Sequence, residues 1–164
     1  MRKYIFLFCI MSALSIQVKA QVSYGSIDWG TYEMEIKVVT DNDSIFLNVI
    51  YMDTKRKLVD VPKLLIKTMD DEMIALDGQL LSSSSKSDGG VIISGIYVSS
   101  CHFISEAKFP ITKEQISMFS KGIKKLRLNT SPKYHEKEWS RDKIGKVLYG
   151  NYKESSSNSF EDGF

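Results

Sequence analysis

The sequence predicts a β-rich α+β domain, in which an antiparallel sheet or sandwich-like core carries a short capped helix and a C-terminal helix. Most segments alternate apolar and polar residues with the period of two that is typical of half-buried strands. Helical signals occur in two places only. One is a capping box that begins at Thr112, and the other is a run of apolar residues at helical spacing within 142–152.

Paired strands are predicted in the first half of the chain. In Tyr32–Val39, apolar residues alternate with charged ones, which indicates a strand with one face exposed to water. The turn residues Asp41-Asn42-Asp43 connect this strand to a more apolar one, Ser44–Met52, and the two are predicted to form a hairpin. A second hairpin is predicted from Leu64–Met69 and Met73–Leu76, which flank an acidic turn.

A long β segment occupies the middle of the chain. Asp88-Gly89-Gly90 contains residues that tolerate positive φ, so a turn is predicted there. Val91–Phe109 is rich in β-branched and aromatic residues but is too long for one average strand. We therefore expect a bulge or bend at Gly95 or at Ser99-Ser100. A further strand is predicted at Ile123–Thr130, after the short helix.

The short helix has the clearest local signal in the chain. Thr112 and Gln115 fit a capping box, and Ile111 and Ile116 are placed to form the accompanying hydrophobic staple. Gly122 is predicted to end the helix, because glycine commonly occupies the position that follows a helix.

The closing helix is predicted over Asp142–Tyr152, where apolar residues recur at helical spacing. Gly145 weakens this prediction, because glycine in a helix interior costs ~1 kcal/mol relative to alanine. Residues 154–164 are rich in serine and lack a pattern, which predicts a flexible tail. The sequence therefore predicts a single domain over 21–153.

The N-terminus predicts export. Arg2 and Lys3 precede an apolar stretch, and Val18-Lys19-Ala20 places small or apolar residues where a signal peptidase needs them. We interpret 1–20 as a signal peptide, so we expect the mature protein in the periplasm, at the cell surface or outside the cell. The apolar stretch is shorter than the ~20 residues that span a bilayer, so no integral membrane anchor is expected in the mature chain.

Charge is unevenly distributed along the chain. Without the basic residues of the signal peptide, the 22 basic residues fall to 19 against 20 acidic ones. Between Lys121 and Lys146, however, nine residues are basic and three are acidic. An exported protein without a net positive charge is a poor candidate for binding nucleic acid. Cys101 would be the one mature cysteine, so the fold must rely on packing and not on an internal disulfide.

Part of the chain resembles a group of known proteins. The segments Phe109–Thr112, Gly122–Leu128 and Ile144–Leu148, together with the junction Val18-Lys19-Ala20-Gln21, are similar to small secreted Bacteroidetes proteins of unknown function. The resemblance covers about 64–152 and depends on pattern, not on a chemical motif. It implies an antiparallel sheet with a helix at its end and a periplasmic or surface location, and it implies no activity.

The basic segment 121–146 is the best candidate for a binding surface. If Lys125 and Arg127 share one strand face, they form a basic ladder with steps of ~7 Å. With further cations and two aromatic stacking platforms, the predicted ligand-binding set is Lys125, Arg127, Lys133, Tyr134, Trp139, Arg141 and Lys143. Such a surface suits an anionic glycan, an envelope component, an acidic protein or self-association. The alternative is a solvated face that neighbouring acids partly neutralise.

His135 is the best candidate for acid–base chemistry, because the usual pKa of histidine, ~6.5, is close to neutral pH. A surface loop histidine is the simpler interpretation, since the sequence shows no orienting partner and no pocket. Cys101 and His102 are adjacent on a predicted strand, so they face opposite sides and cannot form a dyad. The single cysteine and two histidines lack the paired spacing of zinc ligands, so no metal or cofactor is expected.

These patterns predict an exported, non-enzymatic binding or interaction module that uses the basic 121–146 surface. A small cell-envelope hydrolase or transferase, with His135 as the general base, is the first alternative. A structural subunit that pairs with a partner chain through its edge strands is the second.

Overall fold

The computed structural model describes the backbone of residues 21–25, 32–41, 44–93 and 96–161. The interpreted signal peptide, Asn42-Asp43 of the first predicted turn and Gly95 lie outside the described residues. The strands are β1 (Gln21–Gly25), β2 (Tyr32–Asp41), β3 (Ser44–Asp53), β4 (Lys57–Leu58), β5 (Lys63–Thr68), β6 (Met73–Asp77), β7 (Gln79–Ile93), β8 (Ile96–Ile111), β9 (Ile123–Leu128), β10 (Thr130–Ser131) and β11 (His135–Glu138). The helices are α1 (Lys113–Ser117), which continues as a 3-10 turn over Met118–Lys121, and α2 (Gly145–Glu161).

The larger sheet has five antiparallel strands in the order β1-β2-β3-β8-β7. The predicted first hairpin is confirmed, because β2 and β3 pair along their whole length. The predicted alternation is confirmed as well. Met34, Ile36 and Val38 are buried, whereas the charged residues between them are partly exposed.

The smaller sheet has four antiparallel strands in the order β11-β9-β5-β6. β5 and β6 form the predicted second hairpin, and Asp71, at φ 65, lies in its acidic turn. Apolar residues of both sheets form one buried cluster, to which Tyr51 and Phe109 contribute from the larger sheet and Leu64 and Leu126 from the smaller one. The predicted β-rich α+β class with a sandwich-like core is therefore confirmed.

The predicted capping box is confirmed at the start of α1. Gln115 N donates to Thr112 Oγ1 over 3.2 Å, and Thr112 N donates to Gln115 Oε1 over 3.0 Å. The predicted staple residues Ile111 and Ile116 are both buried. Gly122 follows the 3-10 turn at φ 87, a conformation that glycine adopts without steric cost.

The C-terminal helix α2 begins later and ends later than predicted. Its first turn is held by Asp142, whose carboxylate accepts hydrogen bonds from three backbone amides at the start of the helix. The predicted tail is wrong for 154–161, which are helical. Serine is compatible with this helix because the hydroxyls of Ser155 and Ser156 donate to carbonyls three residues earlier. Among the described residues, no helix is long and apolar enough to cross a bilayer.

β7 and β8 form a long hairpin whose turn is misplaced in the sequence prediction. Asp88-Gly89-Gly90 lies within β7, beside a register shift between Ser87 and Gly90, and β7 stays paired with β8 as far as Ile93 and Ile96. The shift lies opposite Ser100, one place where a bulge was expected. The prediction of a turn failed because backbone pairing does not require an alternating pattern, so the serine-rich stretch before Asp88 continues as a strand.

This hairpin projects beyond the rest of the larger sheet. β3 pairs with β8 as far as Asp53, which lies opposite Phe103. The rungs farther out, formed by 87–93 and 96–101, pair β7 with β8 alone among the described strands. We call these residues the hairpin arm.

Candidate functional site

The predicted basic surface does not form one continuous patch. β9 and β11 form an antiparallel hairpin whose paired region is four residues long. Lys133 and Tyr134 lie in the loop at one end, whereas Arg141 and Lys143 follow the other end. About 13 Å of strand separates the two ends. The seven predicted ligand residues therefore belong to separate places.

Lys125 and Arg127 share the outer face of the smaller sheet, as predicted, but neighbouring acids pair with both. Glu136 Oε1 is 2.8 Å from Lys125 Nζ, and Glu136 Oε2 is 2.6 Å from a terminal nitrogen of Arg127. Hydrogen bonds from Lys125 and Arg127 lower the pKa of Glu136, and the bond to Glu136 raises the pKa of Lys125. This part of the predicted surface is largely neutralised, which is the alternative that the sequence left open.

A groove of about 280 Å³ lies on the same face of the smaller sheet. Leu65 and Met73 line it together with several cations. The Nζ atoms of Lys67 and Lys124 lie 2.7 and 2.9 Å from Asp71 Oδ1. Hydrogen bonds from Lys67 and then Lys124 lower the pKa of Asp71 to about 2. These cations are already paired, so the groove offers an anionic ligand little unbalanced charge.

Of the two predicted stacking platforms, one is exposed and one is buried. Tyr134 is 54% exposed, and the Arg127 guanidinium carbon lies 4.4 Å from its ring centroid. Trp139 is 7% exposed and belongs to the hydrophobic core, so the prediction that it stacks on a ligand is wrong. Its backbone N–H donates to Lys124 O over 2.8 Å, which keeps the chain against the sheet after β11 ends.

His135 lies in the core, so its interpretation as a surface loop histidine is wrong. It is 2% exposed, and its ring centroid is 4.4 Å from that of Tyr32 and 5.2 Å from that of Tyr51. Burial, followed by the charge of Arg56, lowers the pKa of His135 to about 4. The ring is therefore neutral near pH 7. The sequence analysis missed the burial of His135 because the three residues after it are charged, so the pattern does not show that one face of β11 is buried.

Cys101 and His102 lie as predicted for adjacent strand residues. Cys101 is exposed, and His102 is 5% exposed. Their side chains therefore have different environments, which excludes a thiol–imidazole dyad between them. In the described part of the chain, no group of three or more His, Cys, Asp or Glu residues is placed to hold a metal ion.

A buried carboxylate that the sequence analysis did not single out organises the end of β3. Asp53 is 0% exposed. It accepts hydrogen bonds from Tyr51 Oη (2.5 Å), Lys55 N (2.7 Å), Arg56 N (3.0 Å) and Arg56 Nε (2.8 Å). Burial and the bond to Asp53 raise the pKa of Tyr51, so its phenol stays protonated and donates. The available sequence signal was an Asp that ends an apolar strand, since such residues often hydrogen-bond the backbone that follows.

Two loops meet in front of Asp53. β4 pairs with β10, which brings loop 54–56 beside loop 132–134. The pocket between them, which we call the loop pocket, has a volume of about 320 Å³ and is lined by Asp53, Lys55, Arg56, Pro132 and Lys133. Arg56 pairs with Asp53, whereas Lys55 and Lys133 form no ion pair with a carboxylate of the described residues. The loop pocket therefore carries a net positive charge.

The buried His135 makes the fold sensitive to acid. Its pKa is about 4 in the folded chain against 6.5 for the ordinary group, so the unfolded chain binds the proton first as the pH falls. The contribution of His135 to stability is complete above pH ~6.5 and decreases by up to about 3 kcal/mol toward pH ~4. Urea unfolding at several pH values between ~4.5 and ~7.5 measures this loss of stability. Most carboxylates titrate below that range. We expect His135→Gln to flatten the profile, and equal slopes in both proteins would contradict this assignment.

Comparison with known proteins adds no relative. Neither a protein-family model, nor a curated protein, nor a solved structure matches the chain. The resemblance to secreted Bacteroidetes proteins therefore stays a prediction, and the function has to be argued from the geometry and charge of the site.

Proposed function

We propose that this chain is an exported, non-enzymatic binding module that holds an anionic glycan or another anionic envelope component in the loop pocket. The observation that supports this most is the convergence of three cations, Lys55, Arg56 and Lys133, on one depression. A single carboxylate, Asp53, lies among them, and it is engaged by Arg56. The positive charges of Lys55 and Lys133 are therefore available to a ligand.

The proposed site overlaps the predicted surface in part. Lys133 belongs to both, and Tyr134 is its neighbour in the chain. Lys55 and Arg56, which come from a distant exposed loop of the sequence, are added because β4 pairs with β10. The other predicted residues are paired with acids, buried in the core or located at the far end of the β9–β11 hairpin.

The loop pocket is organised before a ligand arrives. Asp53 accepts hydrogen bonds from two backbone N–H groups of loop 54–56. These bonds hold the loop in place in the free protein, so a ligand does not have to order it. Arg56 uses Nε for Asp53, so its two terminal nitrogens remain for a carboxylate, sulfate or phosphate group. Tyr134, next to Lys133 in the chain, adds an exposed aromatic ring of the kind that packs against sugars.

Dextran sulfate, a soluble anionic polysaccharide, tests the proposal. We expect binding that weakens as salt is added, because the contacts join exposed charges. Lys133→Glu should weaken binding about tenfold, since it replaces an attraction by a repulsion at the pocket. Lys143→Glu is the matched control, because it makes the same charge change on an exposed lysine at the other end of the β9–β11 hairpin. Titration calorimetry at two salt concentrations gives both affinities.

Two results would overturn the proposal. One is a wild-type chain that does not bind dextran sulfate at low salt. The other is an equal loss of affinity in Lys133→Glu and Lys143→Glu, since binding would then depend on total charge and not on the loop pocket. An acidic protein partner would use the same cations, and dextran sulfate would displace it.

The two alternatives from the sequence have less support. A hydrolase or transferase that uses His135 as its base needs substrate to reach a ring that is 2% exposed. A subunit that pairs through edge strands would use β7, which lies at one edge of the larger sheet, and would form a concentration-dependent dimer. Sedimentation over a range of concentrations distinguishes it from a monomeric binding module.

A further inference from the structure

The hairpin arm extends well beyond the body of the larger sheet. The last rung shared with β3 is at Phe103, and β8 begins at Ile96. Seven residues of extended strand correspond to about 23 Å. An isolated two-stranded hairpin is marginally stable in water, so an arm of this length gains stability from whatever surrounds it in use.

The described rungs at the tip of the arm consist of valine, isoleucine and tyrosine, and Ser94-Gly95 between the two strands lies outside the described residues. Its three outermost rungs pair Val91 with Val98, Ile92 with Tyr97, and Ile93 with Ile96. Ile96 is 67% exposed. A strand that is half-buried against a protein alternates apolar and polar residues, and these rungs do not alternate. Their composition fits an environment that is apolar on every side.

Cations gather where the arm leaves the sheet. Lys55 and Arg56 lie two and three residues after Asp53, which is the partner of Phe103 at the base of the arm. Lys133 shares the loop pocket with them, and Lys86 lies opposite His102, on the rung between the arm and Phe103. The arm itself contains one acidic residue, Asp88. An apolar tip above a cationic base complements one surface in particular, a lipid bilayer with anionic headgroups.

We infer that the ligand is an anionic lipid bilayer, into which the tip of the hairpin arm inserts while the loop pocket binds headgroup phosphates. The inference depends on the proposed function, because the loop pocket has to bind anions. The three apolar rungs measure about 10 Å, which matches the ~5–10 Å to which surface-bound segments bury their apolar face. Four further residues toward the base bring Lys86 to the level of the headgroups.

Sedimentation with vesicles tests this inference. The full mature chain should pellet with vesicles of phosphatidylcholine mixed with phosphatidylglycerol and much less with vesicles of pure phosphatidylcholine. Ile96→Asp should weaken vesicle binding about tenfold or more, because an apolar side chain no longer enters the lipid. Leu81→Asp is the matched control, since Leu81 is 47% exposed on the same hairpin but outside the arm. Ile96→Trp should strengthen binding, because tryptophan favours the membrane–water interface.

Dextran sulfate separates this inference from the proposed function. Ile96→Asp should bind the polysaccharide as the wild type does, whereas Lys133→Glu should bind both ligands more weakly than the wild type. A wild-type chain that binds dextran sulfate but not anionic vesicles would overturn the bilayer inference alone, and one that binds neither would overturn both proposals. Equal vesicle binding by Ile96→Asp and the wild type would show that charge alone holds the membrane, and this also overturns insertion of the arm.

Discussion

Replacing Asp53 by alanine should lower the free energy of unfolding by about 3 kcal/mol or more. The carboxylate is fully buried and accepts hydrogen bonds from Tyr51 and from two backbone amides, as well as from the Arg56 side chain. Alanine leaves these donors without their acceptor, and the Tyr51 hydroxyl is buried, whereas the two loop amides are only partly buried. The Arg56 head is 25% exposed and can turn toward solvent, which limits the loss. Urea unfolding at neutral pH measures the change.

Two further variants make this result specific. Asp53→Asn keeps an acceptor oxygen for the loop amides, so it should lose less stability than Asp53→Ala. Asp77→Asn removes a carboxylate that is 78% exposed and that pairs, among the described residues, with Lys63 alone, so it should change stability by about 0.5 kcal/mol or less. If Asp53→Ala were as mild as Asp77→Asn, Asp53 would not be the anchor of the loop pocket. Dextran sulfate binding should fall with Asp53→Ala, because loop 54–56 loses its support.

Gly145→Ala should destabilise the protein by about 2 kcal/mol, although alanine is the better helix former. A Cβ at this position would lie 2.6 Å from Ile123 N and 2.9 Å from Gly122 Cα. Both are backbone atoms, and Asp142 fixes them further by accepting a hydrogen bond from Ile123 N over 2.9 Å. Burial alone would raise the pKa of Asp142, but this bond and those from the start of α2 keep it below its usual value. The backbone has no room to shift.

Gly150→Ala makes the same substitution in the same helix with the opposite expected sign. Apart from the adjacent residues and backbone of its own helix, no atom of the described residues lies within 4 Å of a Cβ built at Gly150. Alanine should therefore stabilise the protein by about 0.5–1 kcal/mol, through helix propensity alone. Thermal unfolding of the two variants gives the comparison directly. A neutral or stabilising Gly145→Ala would mean that α2 does not approach the start of β9 as closely as described.

Gly145 also illustrates what a sequence pattern can and cannot predict. The capping box at Thr112 and the alternation in β2 were readable because each depends on residues that are close in the chain. The role of Gly145 depends on the approach of Gly122 and Ile123 from another element. Local propensity therefore presented this glycine as a weakness of the helix, whereas the packing requires it.

The site was predicted less well than the fold for a related reason. The inward-facing residues of β11 and its extension are His135 and Trp139, and charged residues fill the positions between them. That composition is the same as that of a polar loop. The loop pocket joins Lys55 to Lys133 through the pairing of β4 with β10, and neither two-residue strand has a pattern long enough to predict its partner.

The pairing of β3 with β8, a strand that is distant in the sequence, has a consequence for how the chain folds. Asp53 of β3 pairs with Phe103 of β8, about fifty positions later, and β5 pairs with β9, which is also distant in the sequence. Neither sheet can close until most of the polypeptide is present, and topologies with such distant partners fold slowly. A chain that is exported, as we propose, has to pass through a translocation pore before it folds. Because its strands pair with distant partners, the chain folds late, and this delay keeps it unfolded during its passage through the pore.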